Sequence, residues 1–364
     1  MSCVLAISPM SSKPLTIGMV SFDGNSPIGG MGRHVLSLVD GLEAQGNTVR
    51  LFDRSSRPPF WSFGRNLTWS LFLHRALRRW IASEGIDILH LHTGPGGAFL
   101  LHRFPIPVIV TANHTYAQQC LLPRQRWKKI LVPFERRTYQ IADAILCISE
   151  DTAQILQTDY NIDSSRISVV PCGIDTASFR RCDREIRRRR DVLFVGRPDI
   201  RKGWDLLLSA WATVIANVPD AILHVVGFSD VGRDASIRFH GKLDDAVLRS
   251  LLGSVGLVVC PSRMEGFGLI SAEALASGTP VVACDVAGLR RIVEQNVSGL
   301  LVSPDDASLA DGILQCMRDD QLWSTLRDGA KKAGVRFDRT AEIRAHIALY
   351  DRVYSPTQCV HALQ

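Results

Sequence analysis

The chain has 364 residues, of which 46% are apolar and 21% charged, and its net charge is +6. That length makes room for two to three domains, and the composition is that of a soluble globular protein, which excludes a disordered chain and a collagen. No run nears the ~18 uninterrupted apolar residues of a membrane span.

The start, MSCVLAISPMSSK, has no basic stretch and too short an apolar one for a secretory leader, so cytoplasm is the expected compartment. In chain order, 15–22 is a strand, a Gly-rich loop follows, and 34–46 is an amphipathic helix that stops at a glycine. Strands are expected at 48–53, 86–92, 107–114, 144–149 and 167–171, with a helix at 71–85. Residues 172–191 are polar, carry seven arginines between 180 and 190, and show no sheet pattern, so they read as a linker. The second half repeats the theme, with strands at 192–196, 221–227, 237–241, 256–262, 280–285 and 298–303. Its helices are expected at 204–217, 243–252, 268–276 and 306–319, and a last helix at 340–353.

This alternation predicts parallel sheets covered on both faces. The expected architecture is α/β, with two Rossmann-like lobes, 1–171 and 192–345, facing each other across a cleft. The C-terminal helix, to about 346–364, would pack back on the first lobe. Ligands of such sheets sit beyond the carboxyl ends of the strands. The nine cysteines are odd in number and form no CxxC pair, which suggests free thiols in a reducing compartment. Residues 1–170 carry 17 basic against 12 acidic side chains, so most of the positive excess lies in the first half.

Four stretches carry candidate chemistry. Ile28-Gly29-Gly30-Met31-Gly32 opens the first helix and resembles a dinucleotide fingerprint, with Asp53 where a ribose-binding acid would stand. Val35 in the third glycine position and the long preceding loop speak against that reading and for backbone amides laid over a ligand. Gly196-Arg197-Pro198-Asp199-Ile200-Arg201-Lys202-Gly203 joins a strand to a helix. Its cations suit a phosphate pair, with Arg201 the one expected to face solvent. Residues 255–284 hold only three charges, Arg263, Glu265 and Glu273, in an otherwise apolar run. A buried Glu273 needs donors, and a vicinal diol such as a ribose supplies two; a backbone amide would also serve. Glu265 precedes Gly266-Phe267-Gly268-Leu269, where glycines at a strand–helix junction turn amides toward an anion. The fourth stretch, 124–137, mixes cations with Trp127, Ile130, Leu131 and Phe134. It reads either as an interfacial helix against anionic lipid or as a half-buried helix interrupted by Pro133. His90, His92 and His114 end strands, and no DxD occurs to clamp a divalent ion on a diphosphate.

Taken in order, EGFGLISAEALASGTPVVA (265–283), VGRPDIRKGWDLLLSAW (195–211), GGMGRHVLSLVDGLEAQGNTVRLF (29–52), CISED (147–151) and VVPCGID (169–175) resemble retaining glycosyltransferase family 4, glycosyl transferases group 1, from about residue 17 to about 350. The resemblance implies the GT-B fold, a nucleotide-sugar donor held by the second lobe and an acceptor held by the first. It implies Glu273 on the ribose, Glu265 on the transferred sugar, and Arg197 and Lys202 on the diphosphate. Gly196, Gly266, Phe267, Gly268 and Leu269 would cradle donor oxygens, Gly29 and Gly30 would lie against the diphosphate, and His114 near the sugar. No cofactor, no metal and no nucleic acid is implied; the acceptor is a glycan, a lipid-linked molecule or a small molecule. Cys172 stands where the family commonly has Asn, and Ala287-Gly288-Leu289-Arg290-Arg291 replaces a GGxxE turn. The alternatives are a nucleotide-sugar epimerase on the same architecture, an NAD(P)-dependent dehydrogenase and a non-catalytic binding module.

Overall fold

A computed structural model describes residues 13–21, 30–53, 65–93, 99–122, 124–180, 188–230 and 234–354, with side chains for all but 65–72 and 180. Two compact units emerge: one from residues up to 117, 128–170 and 340 onward, the other from 118–127 and 171–339.

In the first unit, β1 (Thr16–Val20), α1 (Gly30–Glu43), β2 (Thr48–Phe52), α2 (Arg65–Glu84), β3 (Ile88–Thr93) and β4 (Val108–Ala112) are followed by α3 (Tyr116–Gln119), α4 (Val132–Ile141), β5 (Ala144–Cys147), α5 (Glu150–Thr158) and β6 (Ile167–Val169). The strands form one parallel sheet in the order β2-β1-β3-β4-β5-β6. Every residue of β3, β4 and β5 is buried, as strands covered on both faces must be. Pro133 does not interrupt a helix: it stands in the first turn of α4, where a missing amide costs nothing. Arg126–Leu131 before it is a 3-10 turn.

In the second unit, α6 (Thr176–Arg180), β7 (Arg188–Val195), α7 (Trp204–Asn217), β8 (Ile222–Val226), β9 (Ile237–Phe239), α8 (Asp245–Leu252) and β10 (Val255–Cys260) come first. Then follow α9 (Leu269–Ala276), β11 (Val281–Cys284), α10 (Ala287–Arg290), β12 (Gly299–Val302), α11 (Asp306–Arg318) and α12 (Asp320–Gly334). This sheet is also parallel, in the order β12-β11-β10-β7-β8-β9. The expected linker is shorter than 172–191, because β7 already starts at Arg188. Its arginines are accommodated at the sheet's end: Arg190 pairs with Asp220, and the Arg189 guanidinium lies 5.2 Å over the Trp323 ring. A register shift between Val255 and Leu257 lets Gly256 lie against the Arg189 carbonyl, where an added Cβ would be 1.9 Å from the oxygen. Among the described residues no helix is long and apolar enough to cross a membrane.

The last helix, α13 (Arg339–Val353), starts within one residue of the 340–353 expected from sequence, and Ile343, Leu349 and Tyr350 enter the first unit's core with Ile17, Met19 and Leu38. Beneath it lies a buried cluster of imidazoles. His90 Nδ1 meets the Tyr350 hydroxyl at 2.8 Å and its Nε2 meets Thr111 Oγ1 at 2.7 Å, while His34 Nε2 is 2.7 Å from Glu342 Oε1. His92 stacks on His90 with ring centres 4.7 Å apart, and His346 Nδ1 donates to the Glu342 carbonyl. The HxH pair is thus built into the core. Burial, and next the neighbouring imidazoles, hold His90 and His92 well below 6.5; burial also lowers His346, against the pull of Glu342.

For each of these bases the unfolded chain binds the proton more tightly than the folded one, so stability falls as pH drops through about 6.5. The expected slope is ~1.4 kcal/mol per pH unit for each group. Melting curves at about pH 7.5 and about pH 5.5 check this; His92→Phe should flatten the dependence, and a wild-type midpoint that ignores pH would remove the assignment.

Candidate functional site

The residues that matter most in the second unit lie at the carboxyl ends of β7 and β10, on two loops that are tied together. Gly203 caps α7 with φ +69°, and a Cβ there would stand 1.9 Å from the Pro261 carbonyl oxygen, so only glycine lets the loop after β7 touch the end of β10. Arg263 N–H donates to the Arg201 carbonyl at 2.9 Å, and its guanidinium donates to the Ile200 carbonyl at 2.9 Å and to both Asp205 oxygens at 2.7 Å. That explains one of the three charges in the apolar run. The fork on Asp205 is a structural clamp, and it holds the Asp205 carboxyl below the usual range.

The clamp brings Lys202 to Glu265. Lys202 Nζ lies 2.6 Å from Glu265 Oε2, and both side chains are mostly buried. Ser262 Oγ donates to the same oxygen at 3.2 Å, and Arg201 Nη1 stands 3.8 Å from Oε1. Arg201 was expected to face solvent; instead it turns inward, with 17% of its side chain exposed, and donates to the Met264 carbonyl. Arg197 is the outward one, 76% exposed and 3.5 Å from Asp199 Oδ2. The reversal has a tertiary cause: the loop reverses at Gly203 and is stitched to the distant Arg263, which sets the direction of each side chain between.

After Glu265 the chain runs through Gly266 and the buried Phe267 to Gly268, which caps α9 with φ +100°. Gly268 offers no side-chain acceptor, so the first amides of α9 keep their donors for another partner, at the positive end of the helix. Leu269 is its first residue, and Glu273, one turn further in, is 5% exposed. Apart from Glu273 and Ser271 the helix is apolar, and it is buried from Ser271 to Ala276. Gly288, in the segment that replaces the GGxxE turn, packs on the Glu265 carbonyl, where a Cβ would meet the oxygen at 2.2 Å. Arg290 beside it pairs with Asp285. Gly196 ends β7, its amide bonded to the Val226 carbonyl at 2.9 Å. The junction therefore offers two inward cations, a carboxylate tied to them, a helix N-terminus and glycines that admit a ligand's oxygens close to the backbone. That set suits a group with anionic phosphate at one end and hydroxyls at the other.

In the first unit, Gly30 is the exposed first residue of α1, Gly29 lies outside the described residues, and Asp53 is buried just after β2. His114 is half-buried two residues past β4. Of the groups found here, Ser262 and Asp205 were not picked out from sequence, and Gly203 and Gly288 were named only within longer stretches, without their contacts. Their roles come from contacts across the chain; only Gly203, beside Lys202 in a strand–helix turn, carried a local signal.

Residues 28–178 match Glycosyltransferase Family 4, and residues 189–319 match Glycosyl transferases group 1. The chain is similar to a phosphatidyl-myo-inositol mannosyltransferase of Mycobacterium tuberculosis (strain ATCC 25618 / H37Rv), 29% identical over 375 residues that cover 93% of this chain and 97% of the relative. It is also similar to a D-inositol 3-phosphate glycosyltransferase of Jonesia denitrificans, 28% identical over 398 residues, covering 90% and 92%. Among solved structures, a sucrose-phosphate synthase from Thermosynechococcus elongatus matches with TM-score 0.78 at 22% identity, covering 93% of this chain and 99% of that one. HepE of Anabaena, solved with UDP and glucose, matches with TM-score 0.68 at 19% identity, covering 93% and 99%.

Proposed function

The chain belongs to glycosyltransferase family 4 and carries the GT-B fold, and on that premise we propose that it is a retaining hexosyltransferase that uses a nucleotide-sugar donor and needs no divalent ion. The observation that carries this is the Lys202–Glu265 pair at 2.6 Å, held at the N-terminal approach to α9. A departing nucleoside diphosphate gathers negative charge as the sugar becomes cation-like. A fixed ammonium and a helix N-terminus aimed at that charge stabilise the transition state more than the ground state. In this reading Lys202 and Arg197 take the diphosphate, the amides of Phe267, Gly268 and Leu269 its oxygens, Glu265 the sugar hydroxyls and Glu273 the ribose. Gly30 and His114 serve the donor from the first unit, which also binds the acceptor. Front-face displacement gives retention: the bond from sugar C1 to the diphosphate oxygen breaks, the acceptor oxygen bonds C1 on the same face, and the acceptor's proton goes to the leaving oxygen.

Thermal-shift screening against UDP- and GDP-linked sugars, followed by transfer assays with and without chelator, tests the reading. Activity that dies with chelator and returns with manganese would remove metal independence, and a trapped covalent glycosyl-enzyme would remove front-face displacement. The relatives point to a mannosyl donor and an inositol-bearing acceptor as the first pair to try.

A lipid-borne acceptor fits the surface of the first unit. Ile130 in the 3-10 turn is 67% exposed and Phe134 on α4 is 37% exposed, among exposed Lys129, Arg136 and Arg137. Large apolar groups beside cations suit an anionic bilayer surface. Each charge reversed should weaken binding to anionic vesicles at least about fivefold, because each basic group near the surface contributes ~1 kcal/mol and the new carboxylate is repelled besides. Flotation of Lys129→Glu and Arg137→Glu with phosphatidylglycerol vesicles measures it, and equal flotation of wild type and double variant would remove the membrane role.

A further inference from the structure

His114 stands in the short segment between β4 and α3, whose downstream flank bonds to a buried carboxyl group directly and whose upstream flank reaches it through Thr93 and Tyr139. Glu135, on α4, is 1% exposed. Its Oε2 accepts the Tyr116 amide at 2.9 Å and the Tyr160 hydroxyl, and its Oε1 accepts the Tyr139 hydroxyl at 3.3 Å. On the downstream side the Tyr160 hydroxyl also accepts the Ala117 amide at 3.2 Å. On the upstream side Thr93 Oγ1 has one proton, which reaches either the Tyr139 hydroxyl at 3.3 Å or the Thr111 carbonyl at 3.0 Å. Asn113 Nδ2 donates to the Thr93 carbonyl at 2.9 Å. The backbone on either side of His114 is thus tied into one network that includes Thr93 of β3, Tyr116 and Ala117 of α3, Glu135 and Tyr139 of α4, and Tyr160 after α5.

We propose that Glu135 is a positioning residue for sugar transfer, holding the Asn113–Tyr116 backbone so that His114 is presented to the reacting sugar. The proposal rests on the role given to His114 above. An acid that did no more than satisfy local donors need not accept an amide of one functional segment while the Tyr160 phenol it holds bonds the next amide of that segment. An apolar side chain of the same volume would fill the site without the cost of burying a charge, and would leave the Tyr116 amide without its acceptor.

The groups that face Glu135 are the Tyr139 and Tyr160 phenols and the Tyr116 amide; Thr93 and Cys147 lie behind Tyr139. Burial raises the carboxyl to about 7, against the three hydrogen bonds that lower it. Only the carboxylate accepts from all three donors at once, so ordering of the His114 segment strengthens as pH rises through that value.

The test compares wild type with Glu135→Gln, Glu135→Asp, Tyr160→Phe, His114→Ala and the His114→Ala/Glu135→Gln pair, each checked by its melt. The expected result for Glu135→Gln is a ~10- to 100-fold loss of kcat with donor KM unchanged, loss of the rise in rate near pH 7, partial recovery in Glu135→Asp, and no further loss in the pair beyond His114→Ala. If His114→Ala cripples transfer while folded Glu135→Gln keeps its kcat and pH profile, the positioning role is overturned and the reading of His114 stands. If His114→Ala leaves transfer intact, the role of His114 itself has failed, and the proposal falls with it.

Discussion

Lys202→Ala should lower kcat by ~10²–10³, the amount expected when one fixed donor to transition-state charge is removed. The loss should fall mainly on kcat, because the ammonium gains most once the diphosphate begins to leave. A second effect comes with it. Glu265 Oε2 loses a partner at 2.6 Å while its side chain stays 15% exposed, so the remaining Ser262 hydroxyl and the more distant Arg201 must carry the carboxylate. Lys202→Arg keeps the charge but exchanges a point donor for a broad fork, and should recover part of the rate. Lys202→Ala/Glu265→Gln separates the two causes. If the double variant is faster than Lys202→Ala, the stranded carboxylate accounts for part of the loss; if it is slower, Glu265 acts on the sugar in its own right. Steady-state kcat and KM for donor and acceptor measure all of this, and transfer by Lys202→Ala within about threefold of wild type would end the assignment of Lys202.

The strands of both sheets were legible in the sequence because each is a short apolar run between polar turns, as β4 (Val108–Ala112) and β11 (Val281–Cys284) show. The ordered motifs also exposed Lys202, Glu265 and Glu273 together. What stayed hidden depends on contacts between distant residues. Helix α12 gave no clean start signal, because Asp319 ends α11 and also caps α12 through Leu322 N. The inversion of Arg201 and Arg197 follows from Arg263, some sixty positions away, reaching the Ile200 and Arg201 carbonyls. Glu135 looked like one charge in a basic amphipathic stretch; that it faces inward to Tyr116 and Tyr160 is a tertiary fact with no local pattern. Arginines at the start of β7 masked a strand because their charges are met by Asp220 and the Trp323 ring, which no window around residue 188 contains.

Gly203→Ala should cost far more stability than a left-handed glycine usually does, and Gly241→Ala is its matched control. Both glycines belong to the second unit, with φ +69° and +63°. An alanine at either position bears the same conformational cost of about 1–2 kcal/mol. They differ in what the new Cβ meets. At Gly241 it finds the Ser229 hydroxyl at 3.0 Å, the movable end of a small side chain. At Gly203 it finds the Pro261 carbonyl oxygen at 1.9 Å and its carbon at 2.7 Å, backbone that cannot swing aside. Relief requires the end of β10 and the start of α7 to part, which breaks the Arg263 links to Ile200, Arg201 and Asp205 and pulls Lys202 from Glu265. The total should reach ~4 kcal/mol, in the range reserved for a named structural break, and lower the melting temperature by ~10 °C, against ~4 °C for Gly241→Ala. At a temperature where Gly203→Ala is still folded, transfer should fall in parallel with Lys202→Ala, while Gly241→Ala keeps its rate. Equal melting shifts for the two variants would show that the loop after β7 is not wedged against β10, and the geometric basis for placing Lys202 at the site would go with it.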